Sequence, residues 1–140
     1  VRYILRDLPL GIHPFARAAA VAAWCVAQQG APGFWALHDT LFAAQANLSD
    51  SLIRGLARHY VADTAQLTKC LTSPQPGRSI DADIADAQRA GFSVTPTFVV
   101  GPTSPNGEVR GVVIGGAYPM SVFESAIRGA LTGPSLGPSP

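Results

Sequence analysis

The chain has 140 residues, 47% of them hydrophobic, with a formal charge of +1; that is one domain's length with enough apolar mass to build a core, which excludes a disordered chain. Its basic residues, all arginine but Lys69, are scattered without a run of three, so no nucleic-acid stripe or membrane-binding face is legible. No apolar run approaches the ~18 residues of a membrane span, and no secretory leader pattern opens the chain.

Val1 to Asp7 alternates apolar and polar residues from the first position and predicts a strand; a chain that begins inside a strand leads to the expectation of a missing upstream segment. Leu8-Pro9-Leu10-Gly11-Ile12 is a breaker-rich connection. His13-Pro14 then opens a helix to about Gln29, stopped by Gly30, with Phe15, Ala18, Ala19, Ala22, Cys25 and Val26 on its apolar face. Ala31-Pro32-Gly33 reads as a loop and Phe34 to about Ala46 as a second helix. Ser49 or Asp50 caps a third helix carrying Leu52, Ile53, Leu56, Ala57 and Tyr60. Asp63-Thr64-Ala65-Gln66 has capping-box form before a fourth helix with Leu67, Cys70 and Leu71, which Ser73-Pro74-Gln75-Pro76-Gly77 ends. A fifth helix is expected over about Ser79 to Ala90, with Asp81, Asp83 and Asp86 on a solvated face and Gly91 as its left-handed stop.

At Val94-Thr95-Pro96-Thr97 the pattern changes to extended. Proline cannot donate to a ladder, so Pro96 marks the first residue of a strand; the Thr95-Pro96 bond, at a sharp turn from helix into strand, is open between an ordinary trans proline and a cis one. Phe98-Val99-Val100 and Val109 to Ile114 are predicted as an antiparallel hairpin across Gly101 to Gly107, a stretch dense in turn residues. A last helix starts at Pro119, with Val122/Phe123, Ala126/Ile127 and Ala130/Leu131 repeating every four residues. Residues 132–140 read as a flexible tail.

Other chemistry finds little support. His13, His38 and His59 never reach the three-to-five spacing of a histidine metal pair, neither cysteine has a ligand partner nearby, and no cofactor motif occurs. His38-Asp39 lacks a nucleophile elbow to complete a hydrolase triad, and the glycines from Gly107 to Gly116 lack the Gly-Lys-Ser/Thr ending of a phosphate loop. Trp24 and Trp35 read as core aromatics, with Trp35 a candidate border of a groove.

The order strand, five helices, strand, strand, helix, with a proline turn at the re-entry into sheet, resembles the DsbA-like thioredoxin-fold thiol-disulfide oxidoreductases. The matching residues are Arg6-Asp7-Leu8-Pro9-Leu10 with His13-Pro14, Ala22-Ala23-Trp24-Cys25 with Gln29-Gly30, Phe34-Trp35 with His38-Asp39 and Leu41-Phe42, Cys70-Leu71, Val94-Thr95-Pro96-Thr97-Phe98, and Gly115-Gly116-Ala117. The resemblance implies an α/β thioredoxin-like fold over 1–131 with a helical insertion at about 13–90, lacking the first strand and the active-site helix. It implies a cis Thr95-Pro96 bond, and it places Val94, Thr95 and Pro96 beside an extended substrate peptide. Extended polypeptides with cysteines and a redox partner protein are the implied partners, with no nucleic acid and no membrane insertion, in the periplasm or another extracytoplasmic compartment.

One departure from the family is large. Disulfide exchange needs a thiolate, made accessible at a helix N-terminus and resolved by a second cysteine two residues on, and this chain has no Cys-x-x-Cys. The expectation is therefore a family member whose 140 residues alone are inactive; the alternative is a non-catalytic thioredoxin-like module that holds peptides. Cys25 and Cys70 are left either as buried thiols or, in the oxidising compartment that the resemblance implies, as a structural disulfide, and the bridge is expected. Without a central strand, residues 1 to 6 are expected not to pair with residues 97 to 101, leaving a sheet edge through which the chain self-associates.

Overall fold

The computed structural model describes residues 1–104 and 108–132. They fall into two compact units, one Val1–Gly91 and one from Phe92 onward. Thr132, expected to open the tail, is helical; the rest of the expected tail and the tip of the Gly101 to Gly107 loop lie outside the described residues.

The first unit is helical: α1 (Ala16–Ala27), α2 (Ala31–Ala43), a 3-10 turn at Gln45–Asn47, α3 (Asp50–His59), α4 (Thr64–Thr72) and α5 (Gln75–Arg89). Its core is assembled from one face of each of the first four helices: Ala22, Ala23, Cys25 and Val26 of α1, Leu37 and Leu41 of α2, Ile53 and Ala57 of α3, and Leu67 of α4. The small residues of α1 let its neighbours approach closely. Gly33 serves the same end in α2, because a Cβ there would stand 2.5 Å from the Tyr60 carbonyl oxygen at the end of α3.

The helix starts follow from capping chemistry. Ser49 accepts from the Leu52 amide at 3.2 Å and Asp63 from the Gln66 amide at 2.8 Å, each satisfying a donor that the first helical turn cannot. The side-chain amide of Gln29 then ties the end of α1 to the start of α4: its Nε2 donates to the Asp63 carbonyl at 2.8 Å and its Oε1 accepts the Asp63 amide at 2.9 Å.

Two helices begin earlier than their sequences suggest. Ala31-Pro32-Gly33 is the first turn of α2, not a loop, and Gln75-Pro76-Gly77 opens α5 four residues ahead of Ser79. In both cases proline occupies the first turn, where its missing N–H has no intrahelical partner to lose. α1 in turn starts after His13-Pro14, at Ala16.

Val1 to Asp7 is not a strand: residues 1–10 carry no regular secondary structure. An alternating pattern makes a strand only where a partner edge is available. This segment is held instead by side chains of α5 and α2.

The second unit contains β1 (Thr97–Val100), β2 (Val112–Gly115) and α6 (Met120–Thr132). The strands pair antiparallel, Thr97 opposite Gly115 and Val100 opposite Val112. The regular part of β2 thus begins three residues later than expected, with Val109 making only an isolated bridge to Thr103. Ile114 is buried, and Phe98 meets Phe123 of α6 edge to face, ring centroids 4.8 Å apart. Since the Gly116 amide donates to the Pro96 carbonyl at 2.8 Å, the alternation of an antiparallel ladder directs the amides and carbonyls of Phe98 and Val100 toward β2 and those of Thr97 and Val99 to the outer edge. No strand among the described residues pairs with that edge.

Candidate functional site: the loop ahead of β1 and the paired cysteines

α5 ends at Arg89, and Gly91, with φ of 77°, turns the chain out of it, its amide donating to the Gln88 carbonyl at 3.0 Å. β1 begins six residues later, at Thr97. Between them Val94, Thr95 and Pro96 are exposed, and the Thr95-Pro96 peptide is cis.

The loop is pinned from below rather than covered from above. Thr97 Oγ1 donates to the Val94 carbonyl at 2.7 Å, closing a tight turn around Thr95-Pro96. Pro96 receives the Gly116 amide, and Gly116 reaches it with φ of 127°, a conformation that favours glycine. The Val94 side chain lies 3.9 Å from where a Cβ on Gly115 would stand, so the Gly115-Gly116 pair forms a floor without side chains. Among the described residues no hydrogen bond engages the Thr95 amide or carbonyl. Thr95, exposed in this turn, therefore leaves one backbone donor and one backbone acceptor to solvent just ahead of the outer edge of β1. An arrangement of that kind can pair with the backbone of another extended chain.

Cys25 and Cys70 form a disulfide that joins α1 to α4, with Cα atoms 5.8 Å apart. Cys25 is 1% exposed and Cys70 half-buried, so an external thiolate has no approach to the Cys25 sulfur. The bridge staples two core helices, and no free cysteine remains.

A further cluster escapes sequence reading. Asp83, assigned to a solvated face, is largely covered: its carboxylate takes the Arg6 guanidinium at 2.7 Å and the Asp7 amide at 2.9 Å, and Arg6 also bonds Asp86 at 2.6 Å. The sign in the sequence is the i, i+3 spacing of Asp83 and Asp86, which puts two carboxylates on one helix face. Burial, then the neighbouring Asp83 carboxylate, pushes Asp7 up from the ordinary carboxylate range to about 6, against the opposing pull of His38 and Arg6.

On α2, Phe34, Trp35, His38 and Phe42 form a ladder of rings, joined at Trp35 by Tyr3 at 5.7 Å. Trp35 is thus an exposed member of that ladder rather than a core residue, whereas Trp24 is half-buried and donates from Nε1 to Ser79 Oγ at 2.9 Å. His38 Nδ1 lies 2.9 Å from Asp39 Oδ1, with no nucleophile in the set. No helix among the described residues is long and apolar enough to cross a membrane.

The family model described as thioredoxin matches residues 1–109, a span that includes the loop at Val94 to Pro96 and both cysteines. Two curated relatives are similar along almost the whole chain. A protein of Salinispora arenicola named Na(+)/H(+) antiporter NhaA 1 is 33% identical over 139 residues, 99% of this chain and 20% of the relative. Another, of Salinispora tropica, named Na(+)/H(+) antiporter NhaA 3, is 35% identical over 127 residues, 90% of this chain and 19% of the relative. The chain thus spans about a fifth of the length of these relatives. No solved structure matches it.

Proposed function

The chain belongs to the thioredoxin family, and on that premise we propose that it is the substrate-docking part of a DsbA-like thiol-disulfide oxidoreductase acting on protein disulfides outside the cytoplasm. The observation that carries this reading is the unpaired backbone of Thr95 on an exposed, well-pinned loop ahead of β1.

In this reading an extended substrate lays its backbone along Thr95, its N–H donating to the Thr95 carbonyl and its carbonyl accepting the Thr95 amide. Pro96 has its carbonyl taken by the Gly116 amide and offers no donor, so at the loop itself the docked strand meets the one donor and one acceptor of Thr95, and Val94 packs against the substrate side chain beside it. The reaction is exchange: a disulfide within a Cys-x-x-Cys is attacked by a substrate thiolate, the mixed disulfide is resolved by the substrate's second thiolate, and the enzyme dithiol left behind is reoxidised by a partner protein. These 140 residues hold no Cys-x-x-Cys, and the Cys25–Cys70 bridge joins two helices across 45 positions with no cysteine two residues on to resolve an exchange. The docking surface is what this chain supplies.

A second reading, a thioredoxin-like module that binds peptides without thiol chemistry, is favoured by one observation: both cysteines are consumed in the bridge. It also suits a domain within a longer protein, since this chain matches about a fifth of the length of each of the two relatives. The coding sequence upstream of Val1 separates the two, a Cys-x-x-Cys there favouring the enzyme.

Both readings share the docking site, which an NMR titration tests. A flexible cysteine-containing decapeptide is expected to shift the amides of Val94, Thr95, Thr97 and Gly116, and N-methylation of alternate peptide amides is expected to weaken binding roughly five- to tenfold, the worth of about one hydrogen bond. Shifts confined to other residues, or equal binding of the methylated peptide, would refute the site.

A further inference from the structure

Residues 1–10 have no secondary structure of their own, so whatever holds them against the helices does so through a few side chains. Three contacts by side chains contribute to that hold. Tyr3 lies on Trp35 of α2, Arg6 bridges Asp83 and Asp86 of α5, and the Asp7 amide donates to Asp83 Oδ2. Leu5, Leu8, Pro9 and Leu10 are half-buried behind them.

The Asp7 carboxyl is the misfit. It is mostly covered, yet among the described residues no hydrogen bond or ion pair engages it. The same Asp83 carboxylate that receives the Asp7 amide faces it as a like charge. The other charged or titratable groups on the elements around it are Arg78, Asp81, Asp86 and Arg89 on α5, His38 and Asp39 on α2, and Arg2, Tyr3 and Arg6 on its own segment, of which His38 and Arg6 act on it directly. Neutral, Asp7 sits beside Asp83 without conflict; ionised, it places two carboxylates together at the point where the segment is fastened.

We propose that residues 1–10 are a proton-controlled strap, fastened across α2 and α5 while the Asp7 carboxyl is protonated and loosened when it ionises. Fastened, the Tyr3 ring is tilted against that of Trp35 with centroids 5.7 Å apart; loosened, the ring ladder of Trp35, His38 and Phe42 loses that neighbour. The group titrates near pH 6. Since its folded value lies above the ordinary one of 3.8, the fastened form has its full advantage below about pH 4 and loses it as pH rises through 6.

The test follows the 140-residue chain by NMR between pH 4 and 8. The Asp7 side-chain carboxyl carbon is expected to titrate near pH 6, and hydrogen-exchange protection of the Asp7 amide, corrected for intrinsic exchange, to fall about tenfold or more across the same interval. Asp7→Asn should remove that step. Histidines ordinarily change charge in this range, so His38→Gln is the control and should keep the step. A carboxyl titrating near pH 4, protection that stays level through pH 6, or a step that survives Asp7→Asn or vanishes in His38→Gln would each overturn the strap. The carboxyl titration needs no variant and decides the matter even if a substitution disturbs folding.

Discussion

A carbon added at Gly101 would land on the Arg110 carbonyl oxygen, and one added at Gly111 on that of Val100. At these two positions, just beyond the paired ends of β1 and β2, the backbones approach so closely that no side chain fits, and a neighbouring main chain cannot swing aside as a flexible side chain would. Gly101→Ala or Gly111→Ala is expected to destabilise the hairpin by about 2 kcal/mol, read in a thermal melt, while Gly129→Ala, where a Cβ meets nothing within 4 Å, should be tolerated. Asp7 gives a second prediction at this scale. Its stabilising contribution is present below about pH 4 and lost as pH rises through 6, so Asp7→Asn should match the native chain at pH 4 and exceed it in stability above pH 6. After allowance for solvent screening the gain is about 1 kcal/mol, measurable by urea unfolding at the two pH values.

Among the elements, the disulfide between α1 and α4 closes a loop of 45 residues, for which the chain-entropy relation gives about 4 kcal/mol. Reduction, or Cys25→Ala with Cys70→Ala, should lower the melting temperature without dismantling the helices, whose apolar core at Val26, Leu37, Ile53 and Leu67 does not depend on it. A melt unchanged by reduction would remove the bridge from the account of stability. The helices were largely legible in the sequence because their signals are local: Ser49 and Asp63 announce their caps, and the apolar face of α1 repeats at helical spacing. Residues 75 to 78 were not, since proline and glycine there read as a stop, and only the packing of buried Pro76 and Ile80 against the bundle extends α5 backward. Val1 to Asp7 misled for a related reason: alternation specifies which face of a strand is apolar, but a strand exists only where another supplies its hydrogen bonds. The loop at Val94 to Pro96 was legible from its turn chemistry, whereas the Arg6, Asp7 and Asp83 cluster spans some eighty positions, and its one local sign, the i, i+3 spacing of Asp83 and Asp86, reads equally as a solvated face.

For the whole chain, the central claim is that a thioredoxin-family domain can retain a place to dock an extended polypeptide while its own cysteines are committed to structure. Docking and catalysis are then separable, and the most direct measurement is turnover by the 140-residue chain itself in a dithiothreitol-driven insulin-reduction assay. The prediction is a rate equal to that of dithiothreitol alone. Cys25→Ser and Cys70→Ser variants should be no faster than the native chain. Turnover above background that is abolished by either substitution would contradict the account, because it would make the Cys25–Cys70 pair the reacting disulfide.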